Sequence, residues 1–173
     1  LMKVARKNGK STDFAGDGMY DLFLGGGGND ICCASNDDRQ ARLIWKEIAG
    51  MRGRRDPSRI LTNQNLTEIR NIQKNITIFR MSSKTQNKDG ANISKTYLDE
   101  SHDIAEEGGQ SEIAEACWRS MSVKDEPLFL NCTTQGFNRD CYLDHKIQYA
   151  KRVISGEIDD IHFLPFLFEQ DSE

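Results

Sequence analysis

The chain has 173 residues, 37% of them hydrophobic and 29% charged, which is enough apolar material for one core beneath a solvated surface. Three prolines and bounded apolar runs argue against wholesale disorder, and the longest apolar stretch, Ile161 to Phe168, is broken by His162 and Pro165, far short of the ~20 residues a membrane-spanning helix needs. A net charge of -4 argues against a protein that wraps nucleic acid over its whole surface, though not against one that touches DNA through a single loop.

The opening Leu1-Met2-Lys3-Val4-Ala5-Arg6-Lys7 turns polar at once and reads as no secretory signal. Cys32, Cys33, Cys117, Cys132 and Cys141 are an odd number without a CxxC pair, which predicts buried thiols in a reducing, cytosolic compartment rather than a zinc site.

Met2 to Ala5 reads as the end of a first strand. Gly9 to about Leu24 reads as a helix packed through Phe14, Met19, Leu22 and Phe23, ended by the run Gly25 to Gly28. Ile31 to Ala34 is a short strand. Ser35-Asn36-Asp37-Asp38 offers N-caps for a helix carrying Ala41, Ile44, Trp45, Ile48 and Ala49 at helical spacing. Arg52 to Arg59, with Pro57, reads as a charged loop, solvated or touching DNA phosphates. Asn75 to Met81 alternates like a strand, and Asp89-Gly90 marks a turn in the polar stretch Ser82 to Asn92. Lys95 to Leu98 is a further strand, Gln110 to Ser122 a helix, Leu128 to Cys132 a buried strand, and Asp140 to Ser155 a helix ended by Gly156. Ile161 to Phe168 should close the sheet. Strands alternating with helices predict an α/β fold with a mainly parallel sheet and helices on both faces.

Three segments carry chemistry. The first is Arg6-Lys7-Asn8-Gly9-Lys10-Ser11, between a strand end and a helix start. A nucleoside triphosphate needs inward-facing backbone N–H groups, a helix N-terminus, a lysine for the β/γ oxygens and a hydroxyl for Mg²⁺. Gly9, Lys10 and Ser11 supply the last of these in order, but the first glycine of the usual pattern is replaced by Val4. Alone, the segment reads equally as a solvated basic turn. The second is Thr96-Tyr97-Leu98-Asp99-Glu100, an apolar strand ending in two carboxylates. Phosphoryl transfer to water needs one acid for Mg²⁺ and one to activate water, which suits Asp99 and Glu100 respectively. The third is Leu128 to Gly136, a strand ending in Thr133 and Thr134, which either sense a γ-phosphate or serve ordinary turn chemistry.

Together with Ala34-Ser35-Asn36-Asp37-Asp38-Arg39-Gln40-Ala41 and Asp89-Gly90-Ala91-Asn92, these segments stand in the order found in phage large terminases. The chain resembles the ATPase domain of the large terminase subunit of tailed double-stranded-DNA phages, over one domain spanning residues 1–173. The resemblance implies a P-loop fold of the RecA/ASCE kind, with the Thr133 strand between the phosphate-loop strand and the Asp99 strand. It implies ATP and Mg²⁺ as ligands, contacted by Arg6, Lys7, Asn8, Gly9, Lys10, Ser11, Thr12, Thr133 and Thr134. Ser11 and Asp99 would hold the metal, Glu100 and Lys10 would carry catalysis, and Arg6 would touch the γ-phosphate in cis. Implied partners are double-stranded DNA, a portal protein, a small terminase subunit and sibling subunits in a ring, in the cytoplasm of an infected bacterial host.

The family also carries an adenine-contacting segment before the phosphate loop and a nuclease domain after the motor. Eight residues precede Gly9 here and the chain stops at Glu173, so the expectation is a motor portion without nuclease activity. Two other readings share the residues: a remnant that binds nucleotide or a partner without hydrolysing, and a DExH helicase, whose acidic box Asp99-Glu100-Ser101-His102 also spells. A helicase needs a second motor domain. His102 would couple hydrolysis to movement or simply be a hydrogen-bonded loop histidine, and Trp45 and Trp118 read as core residues.

Overall fold

The computed structural model describes residues 1–83, 91–104, 111–136 and 140–168. Eight strands form one sheet: β1 (Met2–Lys3), β2 (Asp30–Ser35), β3 (Thr62–Gln64), β4 (Glu68–Asn71), β5 (Ile76–Ser82), β6 (Ile93–Asp99), β7 (Leu128–Thr133) and β8 (Phe166–Leu167). Their order is β3-β4-β5-β2-β6-β7-β1-β8, parallel from β5 through to β8 and antiparallel at the β3-β4-β5 edge. The helices are α1 (Lys10–Leu24), α2 (Asp38–Arg55), α3 (Glu112–Met121) and α4 (Tyr142–Ile154). The α/β architecture expected from the alternation of elements is therefore present.

A parallel sheet covered on both faces reads as a continuous apolar run, because neighbouring residues both find a core. β2 is the example. Ile31 and Cys33 join the cluster built by Phe14, Leu22, Ile44, Trp45 and Ile48 of α1 and α2, whereas Cys32 and Ala34 join the cluster around Ile113, Cys117 and Met121 of α3. All five cysteines are buried free thiols. Trp45 is core as expected; Trp118 is half-exposed and stacks on Phe129, ring centroids 4.7 Å apart.

The helix α1 is fastened to the strand that carries the acids. Tyr97 Oη donates to Asp17 Oδ2 at 2.8 Å, and Lys95 pairs with Asp17 and Asp21, so β6 and α1 hold a fixed relation. Tyr97 itself is fully buried and stacks on Phe14, 5.2 Å between centroids. Tyr97→Phe keeps the ring and removes only this donor. We expect a loss of about 1.5 kcal/mol in urea unfolding, at the low end for a bond to a charged group because Asp17 keeps Lys95. Unchanged stability would mean that the hydroxyl does not hold α1.

The structure departs from the sequence reading in three places. The segment Arg52 to Arg59 is not a loop throughout: α2 runs on to Arg55 and ends at Asp56, whose φ of -129° and ψ of 65° reflect the restriction that Pro57 places on its predecessor. Arg52 is neither solvated nor open to DNA, since it is buried and donates to Thr62 Oγ1 at 3.3 Å and Gln64 Oε1 at 2.7 Å. Second, the β3–β4 hairpin has no counterpart in the sequence reading. Its strands are largely polar, β3 at the sheet edge and β4 between β3 and β5, and they are turned by Asn65 Oδ1, which accepts from the Thr67 and Glu68 N–H groups at 2.8 Å each. Third, Ile161 to Phe168 contributes only two residues of strand, β8, though it does close the sheet beside β1. The Asp89-Gly90 turn and the start of the Gln110 helix lie outside the described residues.

Candidate nucleotide site

The loop from β1 to α1 is shaped by two left-handed residues. Gly9 caps α1 at φ 76°, a conformation glycine adopts without strain, and Lys7 adopts φ 66° at a cost of roughly 1–2 kcal/mol. A Cβ on Gly9 would meet nothing within 4 Å, so glycine is required there for its backbone and not for space. No side chain caps α1. Its first intrahelical bond is Asp13 N to Gly9 O at 2.9 Å, which leaves the N–H groups of Lys10, Ser11 and Thr12 without helical acceptors. Three such donors and the positive end of the helix dipole make an anion site.

Lys10 is buried, its Nζ 3.5 Å from the Val4 carbonyl and 3.3 Å from that of Ala5. The Asn8 amide closes the loop on Ala5 O at 3.1 Å. Arg6, Lys7 and Asn8 are exposed on the loop, Thr12 is exposed on α1, and Ser11 is half-buried.

Both carboxylates stand at the tip of β6, and their environments differ. Asp99 is 3% exposed; burial first, and then the neighbouring Glu100 charge, push its carboxyl up to about 6. Lys10 acts in the opposite direction on Asp99 and also lowers Glu100. Glu100 turns out of the strand at φ 51°, its N–H donating to Cys132 O at 3.0 Å across to β7. The hydrogen bond from His102 outweighs burial and holds Glu100 below its ordinary value. Thus one acid is held proton-prone and the other ionised.

The β7 tip completes the site. Thr134 Oγ1 donates to Glu100 Oε2 at 3.2 Å, and Thr133 Oγ1 accepts from His102 N at 3.2 Å. The segment after β1 is tied in by Val4 N donating to Thr133 O at 3.1 Å. β7 lies between β1 and β6, in the order the resemblance implied. Lys10, Asp99, Glu100, Thr133 and Thr134 are therefore brought to one edge of the sheet. His102, read beforehand as either a coupling or a hydrogen-bonded loop residue, is bonded to the glutamate itself: Nδ1 lies 2.9 Å from Glu100 Oε2 and Nε2 3.2 Å from Asp103 Oδ1. Those carboxylates, the Glu100 bond first, raise its pKa, and the charge of Arg6 opposes them. Gly136 is a second residue that sequence reasoning passed over as turn chemistry; a Cβ there would stand 2.7 Å from His102 Cβ.

The model of the ATPase domain of the terminase large subunit matches residues 1–152. The chain belongs to that family. No curated protein matches it. Among solved structures, the large terminase of the HK97 bacteriophage is similar at a TM-score of 0.76 and 18% identity, over 90% of this chain and 32% of that one. The Thermus phage P74-26 large terminase ATPase domain gives a TM-score of 0.60 at 15% identity, over 89% of this chain and 81% of that one. The large terminase of another thermophilic bacteriophage, in complex with ATP-gamma-S, gives 0.52 at 13% identity, over 76% and 31%. At these identities the likeness establishes the fold. This terminase ATPase-family chain spans about a third of the HK97 relative's length.

Proposed function

We propose that this terminase ATPase domain, taken as residues 1–173, binds ATP with Mg²⁺ and hydrolyses it to drive double-stranded phage DNA into a procapsid. The observation that carries the reading is the convergence of an uncapped helix N-terminus and Lys10 on two carboxylates of opposite protonation tendency. In this reading the N–H groups of Lys10, Ser11 and Thr12 and the Lys10 ammonium hold the β/γ-phosphates, with Arg6 reaching the γ-phosphate from the exposed loop and Lys7 and Asn8 lining it. Glu100, kept ionised, takes the proton of the attacking water, and Thr133 and Thr134 stand where a γ-phosphate is sensed.

The residues fit Mg²⁺. Asp99 is a buried carboxylate whose charge is opposed by both burial and Glu100, and a divalent cation would relieve both penalties. The Ser11 hydroxyl is the second hard oxygen donor. When bound, the ion supplies positive charge to the β/γ oxygens.

A pH dependence follows. Asp99 must be deprotonated to hold the ion, and its pKa near 6 means that protons compete below that pH. Mg²⁺-dependent ATP affinity should be flat above about pH 7 and fall toward tenfold per unit below about pH 5. Calorimetric titration at a series of pH values checks this; affinity unchanged down to about pH 4.5 would separate Asp99 from the metal.

Double-stranded DNA, a portal protein, a small terminase subunit and sibling copies in a ring are the proposed partners, and the host cytoplasm the proposed location. Among the described residues no helix is long and apolar enough to cross a membrane. ATP turnover measured with and without double-stranded DNA tests the reading. Turnover absent under both conditions, with Mg-ATP bound, would favour a non-hydrolysing nucleotide-binding role.

A further inference from the structure

We infer that His102 is a positioning residue for Glu100, and that Gly136 is the seat that lets it act. The inference rests on the hydrolysis reading for its consequence, but its geometry is independent of it. Glu100 leaves β6 in a left-handed conformation, so its direction is not fixed by strand geometry. Two groups fix it instead. Oε2 receives Thr134 Oγ1 at 3.2 Å and lies 2.9 Å from His102 Nδ1. The same Nδ1 lies 3.2 Å from Thr133 Oγ1, and the His102 N–H also donates to that hydroxyl. One imidazole thereby ties the β6 tip to the β7 tip through the very carboxylate proposed to activate water.

Gly136 supplies a separate observation. The three atoms nearest to a Cβ built there are His102 Cβ at 2.7 Å, His102 O at 3.3 Å and His102 Cγ at 3.4 Å. All belong to His102. A methyl group at 136 requires that histidine or the 136 backbone to move, and the φ of Gly136 lies outside the left-handed range, so no positive φ explains the glycine. The segment Thr133 to Gly136 thus holds His102 from two sides, by hydroxyls and by a bare backbone. Any shift of this segment is transmitted to Glu100 through the ring.

The test uses the chain with Mg-ATP. His102→Ala should lower kcat by ~10–10²-fold while KM stays within about threefold, since a misplaced base slows chemistry without loosening the phosphates. His102→Gln, which keeps an N–H donor, should recover part of that loss. Gly136→Ala should slow the parent comparably yet cost less than about threefold more in the His102→Ala background, because the ring it displaces is already gone. Parent-level kcat in His102→Ala, or full multiplication of the two losses, overturns the proposal.

A readout without turnover separates this from the hydrolysis reading. The His102 ring meets Glu100 and Asp103, with the Arg6 charge opposing them, and in an NMR titration Glu100→Ala should move the ring toward a free histidine. Should the parent chain not hydrolyse ATP, this shift still supports the tie between His102 and Glu100. An unmoved titration overturns it.

Discussion

Lys10→Ala is expected to lower ATP turnover by at least ~10²–10³-fold and to weaken Mg-ATP binding, while the melting temperature stays close to the parent's. The reason is where the ammonium sits. It is buried at the loop, and among the described residues its hydrogen-bond partners are the Val4 and Ala5 carbonyl oxygens, at 3.5 and 3.3 Å, so its removal costs the fold little. Its positive charge also acts on both Asp99 and Glu100, alongside that of His102. Without it the phosphates lose their point charge, and three backbone N–H groups remain to hold a highly charged ligand. Steady-state hydrolysis beside calorimetric binding makes the measurement. Parent-level turnover would show that the phosphate-loop assignment is wrong.

The second large effect separates the two acids. Glu100→Gln keeps the size and one acceptor oxygen but cannot take a proton, so turnover should fall ~10²–10⁴-fold with Mg-ATP still bound. Asp99→Asn removes a charge from a site where the ion is held by charge more than by shape, so affinity and turnover should fall together. The environments already point in these directions: Glu100 is held ionised by His102, and Asp99 is held near a pKa of 6 by burial and by Glu100. At matched Mg²⁺ the two variants should differ in nucleotide affinity while both turn over poorly. If Glu100→Gln loses affinity and Asp99→Asn keeps it, the roles are exchanged. Normal hydrolysis in both would reduce the pair to a strand end.

The local chemistry of the site was legible because it is encoded in contiguous residues. Gly9-Lys10-Ser11 at a strand-to-helix boundary specifies a left-handed cap followed by free N–H groups, and any fold that forms the helix presents them. Tyr97-Leu98-Asp99-Glu100 ends a buried strand in two carboxylates, and β6 runs to Asp99 and stops before Glu100. The helical spacing of Ala41, Ile44, Trp45 and Ile48 likewise fixes which face of α2 goes inward.

What the sequence left open was decided by contacts between distant segments. The polar strands β3 and β4 carry almost no alternating pattern, and they exist because β5 offers an edge and because Asp56 and Arg52 bind Thr62 and Gln64. Arg52 could not be told from a solvated arginine until its acceptors were placed beside it. His102 and Gly136 were separate signals in the chain, one after an acidic pair and one in a turn. Only parallel pairing of β6 with β7, which sets Asp99 opposite Cys132, brings the histidine over the glycine. Short-range preferences fix backbone conformation and the face of each element, because they act within a few residues. The direction of a glutamate at a strand tip depends on which strand lies next to it, and that is a property of the sheet.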